Sequence, residues 1–154
     1  MNFRTFGETP DNRLDGSGKC MTIPFQGCLA HCKGCGNPGV WPMCGGEKWD
    51  TESVKRQMVS DPLLTGISLE GGEPFLQPVA ALDLARFAHS RGLTVRCRSG
   101  YSFNQICEWE DTRKMLLREI DILEACLIGS ENECPIDVKK SLVKREAIPY
   151  EGHS

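Results

Sequence analysis

TGISLEGGEP, residues 65–74, is the stretch whose reading decides the fold. Its first part is a short apolar run through Ile67 and Leu69 that stops at Gly71 and Gly72. A run of that length closed by glycines is the pattern of a buried parallel strand delivering a loop at its C-terminal end. Two glycines let main-chain carbonyls come close to a ligand, Glu73 adds a carboxylate acceptor, and together they make a pocket for an ammonium group. Pro74 fixes the backbone that follows, as a proline at a first helical position does.

Outward from this loop, strands and helices alternate. KCMTIPFQG, residues 19–27, reads as a strand, and DTESVKRQMVSD, residues 50–61, as a helix with Asp50 or Thr51 as N-cap. PVAALDLARFAHSRG is a second helix, with Leu82, Ala85, Phe87 and Ala88 near one face and an end at Gly92. LTVRCRSG, residues 93–100, is strand again, FNQICEWEDTRKMLLREI is mostly helix, and DILEACLIG, residues 121–129, is a last strand. This order implies right-handed crossovers and an α/β fold with a mainly parallel sheet, open or partly curled into a small incomplete TIM-type barrel. Functional loops then cluster at the strand C-termini. The 154 residues suit one domain, 1–154, with 130–154 as a less regular C-terminal tail.

One of those loops is unusual. GCLAHCKGCGNPGVW, residues 27–41, puts Cys28, Cys32 and Cys35 within eight positions in a segment too rich in Gly and Pro for regular structure. Disulfide, zinc and iron–sulfur ligation are the three chemistries open to such a trio. The start, MNFRTFGETPDNR, has no apolar signal segment, which implies the reducing cytoplasm and argues against disulfides. Structural zinc wants four ligands in two close pairs, so Cys20, Cys44 or His31 would have to complete the set. A cubane 4Fe-4S cluster accepts thiolates at these spacings, and three of them leave one iron open for a chelating small molecule.

The remaining features are less specific. A net charge of −3 argues against a nucleic-acid partner, and no apolar run is long enough for a membrane. Cys20, Cys97, Cys107 and Cys126 read as buried small hydrophobes, and Cys44 and Cys134 as loop residues. Strand alternation puts Val95, Cys97 and Ser99 on one face and Arg96 and Arg98 on the other.

Cys-x3-Cys-x2-Cys at Cys28, Cys32 and Cys35, followed by Gly-Gly-Glu-Pro at 71–74, resembles the radical S-adenosylmethionine (SAM) superfamily. LDGSGKC before the first strand, CGNPGVW after the third cysteine and RSGYSFNQI after a later strand resemble the small glycyl-radical activating enzymes, the type that activates anaerobic ribonucleotide reductase above all. The resemblance implies one 4Fe-4S cluster on the three cysteines and SAM chelated to the open iron. It also implies that Gly71, Gly72, Glu73 and Pro74 take the methionine end, with Asn37 and Ser99 nearby. The implied activity is reductive cleavage of SAM to a 5'-deoxyadenosyl radical, which makes a glycyl radical on the partner enzyme. Electrons would come from a flavodoxin or ferredoxin. Glu70 stands where this family has a small hydroxyl residue, and Gly36 where it has an aromatic. Two other functions fit the same residues: a radical SAM enzyme acting on another glycyl-radical enzyme, peptide or metabolite, and a non-catalytic metal-binding interaction module.

Overall fold

A computed structural model describes residues 1–5, 11–15, 18–27, 47–125 and 135–138. Eight strands and four helices of at least five residues are found among them: β1 Asn2–Thr5, β2 Asp11–Asp15, β3 Gly18–Phe25, β4 Glu47–Asp50, α1 Thr51–Ser60, β5 Leu64–Gly71, α2 Pro78–Ser90, β6 Thr94–Ser99, α3 Phe103–Cys107, α4 Thr112–Glu119, β7 Ile122–Ala125 and β8 Pro135–Asp137. A short 3-10 turn, Pro74–Leu76, joins β5 to α2.

Six strands form one sheet in the order β2-β3-β5-β6-β7-β8. The four central strands are parallel, and β2 and β8 close the two edges antiparallel. The sheet is therefore mainly parallel and open, as the alternation of elements implies. Alternation along the strands sorts the side chains. Met21, Ile23 and Phe25 of β3, Ile67 and Leu69 of β5, Val95 and Cys97 of β6 and Leu123 of β7 are buried and form one core with Leu84, Ala85, Leu116 and Leu117 of the helices. The helices thus cover one face of the sheet. Thr22, Ser68, Arg96 and Ile122 lie level with one another on the other face.

Each helix starts where its sequence says it should. Asp50 caps α1 by accepting from the Glu52 N–H, and Pro78 is the first residue of α2. Beyond α2, Gly92 takes a positive φ of 75°, which suits glycine. The region read as mostly helix, 103–120, holds two helices. Ser102 and Gln105 make a reciprocal capping box at the start of α3, and Asp111 recaps the chain as α4 by accepting from the Arg113 N–H.

Two expectations are corrected. The segment 121–129 is not the last strand, because β8 returns to pair with β7. Its Pro135 lacks a donor and fits only an edge position. The less regular C-terminal segment thus adds a short strand to the sheet at 135–137, and Val138 is fully buried. Nor is the strand at 19–27 the first, because β1 and β2 precede it. β1 and β4, two four-residue strands, pair with each other as a separate ribbon.

At the N-terminal end of the parallel strands, His89 ties helix to sheet. Its Nδ1 lies 2.8 Å from Glu119 Oε2 and its Nε2 2.9 Å from Asp121 Oδ2, which also accepts from the Val95 N–H. Burial pushes the imidazole pKa down, but the bonds to Asp121 and Glu119 outweigh it and the net shift is upward.

Leu84→Ala, which empties a fully buried position, is expected to lower stability by about 2–5 kcal/mol. Leu63→Ala, at an exposed position, should stay within about 0.5 kcal/mol of wild type; chemical denaturation of both variants checks the assignment of the core.

Candidate functional site

The C-terminal ends of β3, β5 and β6 meet at one place, and main-chain hydrogen bonds hold them there. Parallel pairing of β3 with β5 runs to Phe25 opposite Gly71. It does not stop at the strand ends: the Gly72 N–H donates to Phe25 O and the Glu73 N–H to Gly27 O, both at 2.7 Å. Gly27 immediately precedes Cys28 and has a φ of 105°, a conformation that favours glycine. A Cβ on Gly72 would run into the Gly27 carbonyl and come within 2.8 Å of its carbon. The loop at 71–74 and the start of the cysteine loop are therefore in backbone contact, and only a glycine at 72 permits it.

Glu73 is the hub of this corner. It is 4% exposed, and its carboxylate is turned toward β6. The Ser99 hydroxyl donates to both oxygens at 2.9 and 3.0 Å, the Gly100 N–H to Oε1 at 2.7 Å, and the Phe75 N–H to Oε2 at 3.2 Å. The last bond makes Glu73 the cap of the 3-10 turn whose first residue is Pro74. Ser99 in turn accepts from the Tyr101 N–H at 3.0 Å. Burial raises the Glu73 pKa to about 7 against these three donors, and among the described residues no cationic side chain pairs with it.

The structure thus brings together Gly71, Gly72, Glu73, Pro74 and Ser99. Ser99 shares a face with Val95 and Cys97, as alternation requires, and that face is the one turned to the helices. Burial, reinforced by the charge on Glu73, pushes the Cys97 thiol well up, so this cysteine is an inert core residue, and Cys20 and Cys107 are buried too. Cys28, Cys32, Cys35 and Asn37 lie outside the described residues, as do His31, Cys44, Cys126 and Cys134. Arg98, on the opposite face, reaches Glu124 Oε2 at 3.3 Å and Glu70 Oε1 at 3.9 Å. Glu70, the family departure just before the glycines, therefore takes part in a charge row across β5, β6 and β7.

Gln77 was missed in the sequence reading. Its Nε2 donates to the Arg4 and Gln26 carbonyls, both at 2.9 Å, and its Oε1 accepts from the Arg4 N–H at 2.8 Å. It anchors β1 and the end of β3 to the turn behind the loop. The one available signal was an amide just before Pro78, where a helix begins. Tyr101 packs edge-on against Trp109, with ring centroids 4.9 Å apart, and the Arg113 guanidinium lies 4.0 Å over the Trp109 ring.

The fold and this corner define a class: an open, mainly parallel α/β sheet whose first parallel strand feeds a cysteine loop tied by its backbone to a glycine-rich loop. A family described as 4Fe-4S single cluster domain matches residues 14–135. The chain belongs to this family. Among curated proteins it is 28% identical to the anaerobic ribonucleoside-triphosphate reductase-activating protein of Vibrio cholerae, over 80% of this chain and 81% of that protein. It is 28% identical to the Escherichia coli K12 protein of the same name, over 69% of this chain and 73% of that one. It is 27% identical to the pyruvate formate-lyase-activating enzyme of Clostridium pasteurianum over 70% of this chain, and it spans only 49% of that enzyme's length.

The donor chemistry fits the family's cluster: three thiolates within eight positions, beginning at the residue after the anchored Gly27. No helix among the described residues is long and apolar enough to cross a membrane.

Gly72→Ala is expected to force the two loops apart and to cost about 1–3 kcal/mol in denaturant unfolding. Glu73 gives a pH signature. Its native pKa of about 7 exceeds the ordinary 4.5, so the native state holds the extra proton and stability falls as pH rises across that interval. The full effect is about 3 kcal/mol, and Glu73→Gln should flatten the stability profile between these limits.

Proposed function

We propose that this chain is a radical SAM activase that installs a glycyl radical on a partner enzyme, with anaerobic ribonucleotide reductase as the target. The observation that carries the reading is the backbone contact between Gly72–Glu73 and Phe25–Gly27, which sets the glycine-rich loop against the residue that precedes Cys28. Membership of a 4Fe-4S family and likeness to ribonucleotide reductase activases along most of their length support it.

In this reading Cys28, Cys32 and Cys35 would hold the cluster, and Gly71, Gly72, Glu73 and Pro74, with Asn37 and Ser99, would take SAM. When bound, the cluster and SAM would supply the radical chemistry that removes a hydrogen atom from the target glycine. The chain's own residues bind, orient and exclude water. Gly71 and Gly72 let main-chain carbonyls reach the methionine ammonium, and Pro74 keeps the turn rigid. Phe75, Tyr101 and Trp109 wall the corner with apolar surface, which keeps water from a reactive radical. A low-potential flavodoxin or ferredoxin supplies the electron. Likeness to pyruvate formate-lyase-activating enzymes makes that lyase the second target to try.

Anaerobic reconstitution with iron and sulfide tests the proposal. Expected are a reduced-cluster paramagnetic signal that changes on adding SAM, release of 5'-deoxyadenosine, and a glycyl-radical doublet on anaerobic ribonucleotide reductase. A doublet on pyruvate formate-lyase alone would move the target. Tightly bound zinc with silence in every assay would replace the activase by a metal-binding interaction module.

A further inference from the structure

Glu73 has been treated as a group that faces the ligand, yet its carboxylate faces the protein. Both oxygens receive donors from within the fold: the Ser99 hydroxyl and the Gly100 N–H on Oε1, the Ser99 hydroxyl and the Phe75 N–H on Oε2. The receiving group is itself built: Ser99 ends β6, is 2% exposed, and is held by the Tyr101 N–H. Meanwhile the main chain on either side of the Glu73 Cα is bonded elsewhere. Its N–H goes to Gly27 O, and its carbonyl accepts from the Leu76 N–H at 3.0 Å. The side chain thus joins β5 to β6 while the backbone joins β5 to β3, and one residue fixes three strand ends.

We propose that Glu73 and Ser99 are a positioning pair that serves SAM through the main chain: their bond sets the course of Gly71 and Gly72, whose carbonyls meet the ammonium, and holds Gly27 at the entrance to the cysteine loop. The carboxylate is a brace whose shape and hydrogen-bonding capacity matter more than its charge toward the ligand. This rests on the reading that the 71–74 loop receives SAM.

Two chemistries separate in one comparison. In Glu73→Gln the amide oxygen in the Oε1 position still accepts from Gly100 and the amide nitrogen can donate to Ser99 Oγ; only the Phe75 N–H loses its acceptor, so the link from β5 to β6 survives while the charge is lost. Glu73→Ala removes both. The reconstituted full chain is titrated with SAM while the reduced-cluster paramagnetic signal is followed. The apo forms of Glu73→Gln, Glu73→Ala, Ser99→Ala and the Glu73→Ala/Ser99→Ala pair are also melted.

A brace predicts that Glu73→Gln keeps SAM affinity within about threefold and the same SAM-dependent spectrum, while Glu73→Ala weakens it about tenfold or more. Ser99→Ala weakens it in the same direction, and the double variant is no worse than Glu73→Ala. If Glu73→Gln loses as much affinity as Glu73→Ala, with Ser99→Ala at wild-type level, the carboxylate contacts the ammonium directly and the proposal is overturned. Should the wild type show no response to SAM, the activase reading fails separately. The brace is then decided by the melts: additive Tm losses from Glu73→Ala and Ser99→Ala would reject it, and a shared loss would uphold it.

Discussion

Two main-chain hydrogen bonds, Gly72 to Phe25 and Glu73 to Gly27, are what the rest of the molecule depends on. Parallel strands ordinarily part at their C-terminal ends, where each chain leaves for its own helix. Here the ladder between β3 and β5 continues past the strand ends, so Gly27, the residue before Cys28, is held against the loop at 72–73. The requirement passes down to composition. A side chain at 72 would occupy the space of the Gly27 carbonyl, and Gly27 itself holds a left-handed φ. Sterics, before any chemistry, select both glycines.

A single polar residue then ties this corner to β6. Burying a carboxylate without a countercharge is costly unless donors surround it. Ser99, Gly100 and Phe75 provide them, and the pKa near 7 records how much of the cost remains. The group that holds the strands together is therefore one whose hydrogen bonds only partly offset the cost of its burial.

The sequence disclosed the central architecture because its signals are local. Apolar runs that stop at glycines mark β5 and the end of β6, and an aspartate before a periodic stretch marks α1. It did not disclose β1, β2, β4 and β8. Strands of three to five residues, among them the charged Glu47–Asp50, carry too few side chains for alternation to register. The site divides in the same way. The cysteine spacing and Gly-Gly-Glu-Pro stand out in any reading, whereas the link from Glu73 to Ser99 spans 26 residues and exists only because parallel pairing sets β5 beside β6. Gln77 is further from legibility still, since its partner Arg4 is 73 residues away.

That last separation bears on the order in which the molecule assembles. During synthesis β3 and the cysteine loop emerge well before Gln77, so the clasp on Arg4 and Gln26 closes only after the whole segment between them has been made. The contacts that seal the N-terminal strand are long-range, which delays their formation relative to α1 and α2. The seal between the N-terminal strand and the turn after Glu73 is thus among the last contacts to form, and it waits on residues synthesised long after Arg4 and Gln26.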